Sequence, residues 1–145
     1  MPSASLSDID RACQALSEIK RHLQRNAQAG SAAVPTAGVL LAAIDECPDA
    51  VIVANDAAEI KMVNGAAARL TGLSTRELQT LTIWDVTHSA AQVDFELLWK
   101  EYLRAGRQRG SYALRHRDGT PVEVAYCSEA SLLPQCHLSV LRRIS

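Results

Sequence analysis

The groups in this sequence best suited to chemistry are four cysteines, Cys13, Cys47, Cys127 and Cys136, and four histidines. A zinc site requires paired ligands at short intervals, and here no two cysteines share a C-x-x-C spacing and no histidine stands at a zinc-like distance from one. The thiols therefore read as reduced, largely buried small residues. A redox role stays open for Cys13, which falls on an otherwise solvated helix. No Ser-His-Asp or Cys-His set occupies plausible positions, and no glycine loop could cradle a phosphate. We expect no enzymatic activity from this chain.

At 145 residues the chain is long enough for one domain with a core, plus an appendage. With 48% hydrophobic and 21% charged residues it has an ordinary globular composition. No apolar run approaches the roughly 20 residues of a membrane span. Residues 1–5 lack the basic start and apolar stretch of a secretory signal, so the expected location is cytoplasmic. The net charge of −1 hides an asymmetry: residues 31–99 hold nine acids against three Lys/Arg, and residues 100–145 hold four acids against eight. Without a helix-turn-helix or basic helix beside it, the basic half reads as a solvated sheet surface rather than a nucleic-acid site.

Residues 1–30 are predicted to carry an amphipathic helix. Ser7 is placed to cap it and Asp10 follows three residues later. Ile9, Ala12, Leu16, Ile19 and Leu23 then recur at alternating spacings of three and four. A seam this narrow on a charged helix suits a parallel or antiparallel helical pair better than a globular core, which predicts a homodimer contact made by this helix and, in part, by the sheet. Residues 31–38, rich in Ala, Gly, Ser and Pro, form a linker, and Pro35 stops the helix from running straight through. Residues 39–145 form the domain.

Within it, a short helix VLLAAIDE leads to a hairpin of strands at residues 50–54 and 59–63. Asn64 caps a helix that Gly72 ends. Ser74 and Glu77 stand at capping-box distance over short helical turns. Phe95, Leu98, Tyr102 and Ala105 mark one face of a helix over residues 92–105, with Trp99 alongside. Two alternating runs flank Asp118-Gly119. A two-residue turn would set Leu114 against Glu123, whereas a loop of Asp118-Gly119-Thr120 sets Leu114 against Val124 and Tyr112 against Tyr126. Pro134-Gln135 turns into a last strand. The fold class is α+β, with a five-stranded antiparallel sheet and helices on one face.

This order resembles a PAS domain. The resemblance rests on PDAVIVAND, IKMVNGAAARLTGLS, TRELQTLTIWDVTH, RHRDGT and VLRRIS, and covers about residues 38–145. Its most specific part is the N-x-A-A-x-x-L-x-G pattern from Asn64 to Gly72. The sequence departs from the family where Ser89 follows His88 in place of Pro, and where Arg143-Ile144-Ser145 stands in place of Asp-Ile-Thr. What the resemblance implies is a sensory and regulatory module in which a cavity holds a small molecule, flanking helices relay its state, and a downstream signalling protein receives it.

The flavin subclass of that family needs a cysteine on the short helices, and none lies between Cys47 and Cys127. Haem would need an axial histidine on the helix of residues 92–105, which has none. His88 reads as a hydrogen-bonding residue and His116 as an edge residue of the hairpin. No cofactor is expected, with a haem-binding sensor as the remote alternative. The expected pocket lining is Val51, Val53, Met62, Leu70, Ile83, Trp84, Phe95, Leu98, Tyr112, Leu114, Val124, Tyr126 and Val140, which suits a small apolar ligand. The alternative is a packed core and a ligand-free adaptor that binds a partner protein.

Overall fold

The computed structural model describes residues 6–28, 37–88 and 94–144. Helix α1 (Leu6–Gln28) and helix α2 (Ala37–Glu46) precede strands β1 (Ala50–Ala54) and β2 (Ile60–Val63). Helices α3 (Gly65–Thr71) and α4 (Thr75–Leu78), a 3-10 turn at Trp84–Val86 and helix α5 (Phe95–Ala105) follow. Strands β3 (Arg107–Arg115), β4 (Pro121–Leu133) and β5 (Cys136–Arg143) end the chain. Pro35 and the expected linker at 31–36 lie outside the described residues, as do residues 92 and 93 of the expected fifth helix. Ala37 and Gly38, read as linker, belong to α2.

The five strands form one antiparallel sheet in the order β2-β1-β5-β4-β3. Strand β1 is buried at all five positions. A strand can be so only where both faces of its sheet are covered. On the inner face, Ala50, Ile52, Leu114, Val122, Val124 and Leu141 pack with Ala67 of α3, Leu78 of α4 and Val86 of the 3-10 turn. On the outer face, Val51, Val53, Cys127, Leu138 and Val140 pack with α1 and α2. The helices from α3 onward thus take one face, as expected, and the first two take the other.

That second layer corrects the reading of α1. Ala12, Leu16, Ile19 and Leu23 are buried in the same chain's outer-face core, and Ile9 is half-buried. The seam is filled by its own sheet because β1 is apolar on both faces, and β5 turns Leu138 and Val140 outward beside it, so the outer face needs a cover. Charge follows the same contact. Arg109 of β3 lies 3.8 Å from Asp10 of α1, and Glu129 of β4 is met by Lys20 of α1 at 3.1 Å and by Arg107 of β3 at 3.4 Å, so ion pairs of both senses join α1 to the sheet.

The long hairpin has a three-residue loop, but it is Arg117-Asp118-Gly119. The His116 N–H donates to the Thr120 carbonyl at 2.9 Å, and Leu114 pairs with Val122, Tyr112 with Val124. Every partner is displaced by two from the expected register. A slip of two leaves each side chain on its face, so apolar alternation is blind to it. The deciding residue is Gly119, which closes the loop at φ +87°, the left-handed position such a loop reserves for glycine.

Candidate functional site

The site lies on the inner face, beneath α5. Leu138 and Val140 of β5 point into the outer core, so the alternating residues His137, Ser139 and Leu141 point inward. Helix α5 starts at Asp94, whose carboxylate accepts the Leu97 N–H at 3.0 Å, and stops at Gly106 in the left-handed conformation. Phe95, Trp99 and Tyr102, spaced by four and three, share one face of it.

A run of rings results. The Trp84 ring lies 5.5 Å from Phe95 and 5.8 Å from Trp99, Trp99 lies 5.2 Å from Tyr102, and His137 lies 5.8 Å from Trp99 and 6.4 Å from Tyr102. Polar anchors fix their orientation. The indole N–H of Trp99 donates to the Asp56 carbonyl at 2.8 Å, and His137 Nε2 stands 2.6 Å from Asp56 Oδ1. The Ser131 N–H donates to His137 Nδ1 at 2.8 Å. Deeper in the sheet, the hydroxyls of Ser128 and Ser139 lie 2.6 Å apart.

Within this ring wall, Tyr102 is 5% exposed and its hydroxyl has no hydrogen-bond partner among the described residues. Burial, with lesser contributions from Glu129, Cys127 and Tyr126, pushes its phenol well above the ordinary range, so it stays protonated and able to donate. A buried hydroxyl left unpaired costs about 1–3 kcal/mol, which makes it the position in this layer best suited to a ligand atom.

Of the expected lining, Ile83, Leu70, Tyr112, Leu114, Val124 and Tyr126 do gather on the inner face, and the Tyr112 and Tyr126 rings meet edge to face at 5.2 Å. Trp84 and Phe95 touch each other beside them. Val51, Val53, Met62 and Val140 do not belong there. They face the outer core, because in β1 and β5 the inward positions are the alternate ones and Met62 of β2 pairs with Val53. Leu98 is also misplaced, being 47% exposed on the far side of α5. The residues that sequence reading passed over are His137, Ser139, Ser128 and Asp56. The available signal was the polar alternation His137-x-Ser139 within an apolar strand.

The two histidines weighed for haem sit elsewhere. His88 follows the 3-10 turn and its N–H donates to the Ala113 carbonyl at 2.9 Å. His116 is at the hairpin end, where its ring packs on Gly72. A Cβ on Gly72 would come within 2.7 Å of that ring, and φ there is +74°. No group of His, Cys, Asp and Glu able to hold a metal occurs among the described residues. No helix among them is long and apolar enough to cross a membrane.

Residues 39–104 match the model of a PAS domain family. Solved structures with the same fold include the PAS domain of an HTR-like protein from Haloarcula marismortui, with 20% identity, TM-score 0.63, and coverage of 86% of this chain and 99% of that one. A PAS domain from a two-component sensor histidine kinase shares 20% identity at TM-score 0.58, covering 70% of this chain and 89% of that one. A PAS domain in complex with ethanol, from a LuxR-family transcriptional regulator of Burkholderia thailandensis, shares 12% identity at TM-score 0.58, covering 71% and 95%. No curated protein matches the sequence.

Proposed function

This chain carries a PAS domain, and from that premise we propose that it is a sensory and regulatory module of cytoplasmic signal transduction rather than an enzyme. The observation that carries the reading is the Tyr102 hydroxyl, buried and unpartnered within a wall of Trp84, Phe95, Trp99 and His137. Such a wall suits a small, mostly apolar molecule that offers one polar atom to a phenol O–H. The same sheet that backs this wall carries α1 on its other side. Strand movement at Ser128, His137 and Ser139 is therefore felt one residue away by Cys127, Leu138 and Val140, on which α1 rests.

In this reading α1 is the output element and passes its state to a downstream signalling protein. Because its seam is spent on a sheet, homodimerisation takes the form of exchange. The seam of Ala12, Leu16, Ile19 and Leu23 covers the outer face of a second copy as it covers its own. No cofactor is assigned.

Native mass spectrometry of the purified protein, joined to its absorption spectrum, tests the reading. The expected result is a dimer that retains a small organic molecule and is colourless above ~300 nm. A monomer without added mass contradicts the dimer and the ligand, and a Soret band near ~400 nm contradicts the absence of haem.

A further inference from the structure

Strand β4 breaks its pairing with β5 between Glu129 and Leu133, and Ser131 sits in that gap at φ +57°, a backbone region that a residue with a Cβ seldom adopts. Outside the ladder, its N–H turns to a side chain instead, Nδ1 of His137 at 2.8 Å. The same ring, its side chain 2% exposed, places Nε2 2.6 Å from Asp56 Oδ1. Since Nδ1 accepts, it carries no proton, and the ring is neutral in this arrangement. The bulge is tied to the rest of the molecule on both sides of Ser131. The Ala130 N–H donates at 2.8 Å to the carbonyl of Gly106, the C-cap of α5, and Leu132 and Leu133 pack in the outer core that α1 and α2 cover.

We propose that His137 is a proton switch that sets the conformation of the β4 bulge. A second proton can only go to Nδ1, where it meets the Ser131 N–H donor against donor, and that bond is lost. The imidazolium so formed keeps the Asp56 carboxylate at Nε2 as its ion-pair partner. Among the described residues Asp56, from the turn after β1, is the one charged group within hydrogen-bonding reach of the ring. Helix α5 presents to it the uncharged indole of Trp99 at 5.8 Å and the Tyr102 phenol at 6.4 Å, which burial keeps protonated. Gln135 of the β4–β5 turn is bonded to Asp56, Cys136 turns to the outer layer, and Glu129 of β4 is met there by Lys20 and Arg107. Ser131 is exposed, so its freed N–H turns to water and the residue can leave the positive φ that the bond helps to impose. The change falls between Ala130, which holds the end of α5, and Leu132, which packs on the outer core. The switch stands on these contacts alone, and its passage to α1 rests on the reading of α1 as the output element.

Nitrogen-15 NMR of the full-length protein follows the His137 ring nitrogens and the Ser131 amide together from about pH 8 to about pH 5, the range in which histidine ordinarily changes charge. The expected result is that His137 becomes an imidazolium and that, over the same interval, the Ser131 amide loses its hydrogen-bonded shift. Its exchange, corrected for the intrinsic effect of pH, is expected to quicken about fivefold or more, the worth of one hydrogen bond, while the β1 amides stay protected. In His137→Gln, which keeps an acceptor but cannot take the proton, the Ser131 response is expected to be absent. A His137 ring that stays neutral throughout, an imidazolium formed with the Ser131 amide unmoved, the same response in His137→Gln, or release of the β1 amides together with Ser131 overturns the switch.

Discussion

Nε2 of His137 lies 2.6 Å from Oδ1 of Asp56, joining strand β5 to the turn after β1. The other ring nitrogen accepts the Ser131 N–H, so the proton sits on Nε2 and points at the carboxylate. Asp56 also accepts from Gln135 at 2.7 Å and offers its carbonyl to Trp99. The seat of α5 on the inner face therefore depends on a ring on β5.

Long-range proton–nitrogen NMR spectra of the histidines are expected to show His137 as the Nε2–H tautomer. A resonance pattern with the proton on Nδ1 contradicts this arrangement. His137→Leu is expected to cost about 1 kcal/mol, at the low end for a lost hydrogen bond because Asp56 and Ser131 can turn to water.

Tyr102→Phe removes a buried hydroxyl that has no partner. Urea unfolding of ligand-free protein is expected to show a gain of about 1 kcal/mol, since the penalty of the unpaired group disappears. A loss of that size instead means that the hydroxyl is bonded in solution.

Alkaline stability follows from three phenols. Burial raises Tyr102, Tyr112 and Tyr126 above their ordinary value. Above pH ~10 the unfolded chain gives up these protons and the folded chain keeps them. Stability is therefore fully present below that pH and declines as pH rises toward the folded-state values. Each phenol contributes up to about 1.4 kcal/mol per pH unit, so Tyr102→Phe makes the decline shallower by about one proton. Equal slopes for the variant and the unsubstituted protein would show that Tyr102 titrates alike in both states.

Asn64 does more than cap α3. Its Oδ1 accepts from Val51 and Ala67 at 3.0 and 3.1 Å, and its Nδ2 donates to the carbonyls of Ile44 and Asp49 at 2.9 and 2.8 Å. The ends of α2, β1 and α3 meet on one side chain that is 2% exposed. Asn64→Ala is expected to cost about 3 kcal/mol. Asp is as good as Asn at a plain cap, yet Asn64→Asp is expected to cost about 2 kcal/mol or more, because a carboxylate would face two carbonyls. Thermal unfolding of the pair checks this, and a silent Asp variant would reduce the residue to its cap.

Local chemistry was the legible part. The bounds of β1, the Asn64 and Ser74 caps and the left-handed Gly72 all follow from residues within a few positions of one another. The pairing of β3 with β4 was misread by two residues because alternation has a period of two, although Gly119 carried the missing information. The inner-face polar groups were harder to see. Asp56 and His137 are 81 positions apart, and no spacing rule reaches that far. The partner of α1 was legible in principle: AVIVA has no solvent face, so something had to cover its second side.

Hydrogen exchange on the full-length protein tests most directly whether α1 is docked on the sheet. The amides of residues 12–23 are expected to be protected to nearly the same degree as those of β1 and β5, because the side chains that hold α1 are part of one core. Exchange of those amides within seconds, as in a lone amphipathic helix, would contradict the docking and with it the route from the inner face to α1.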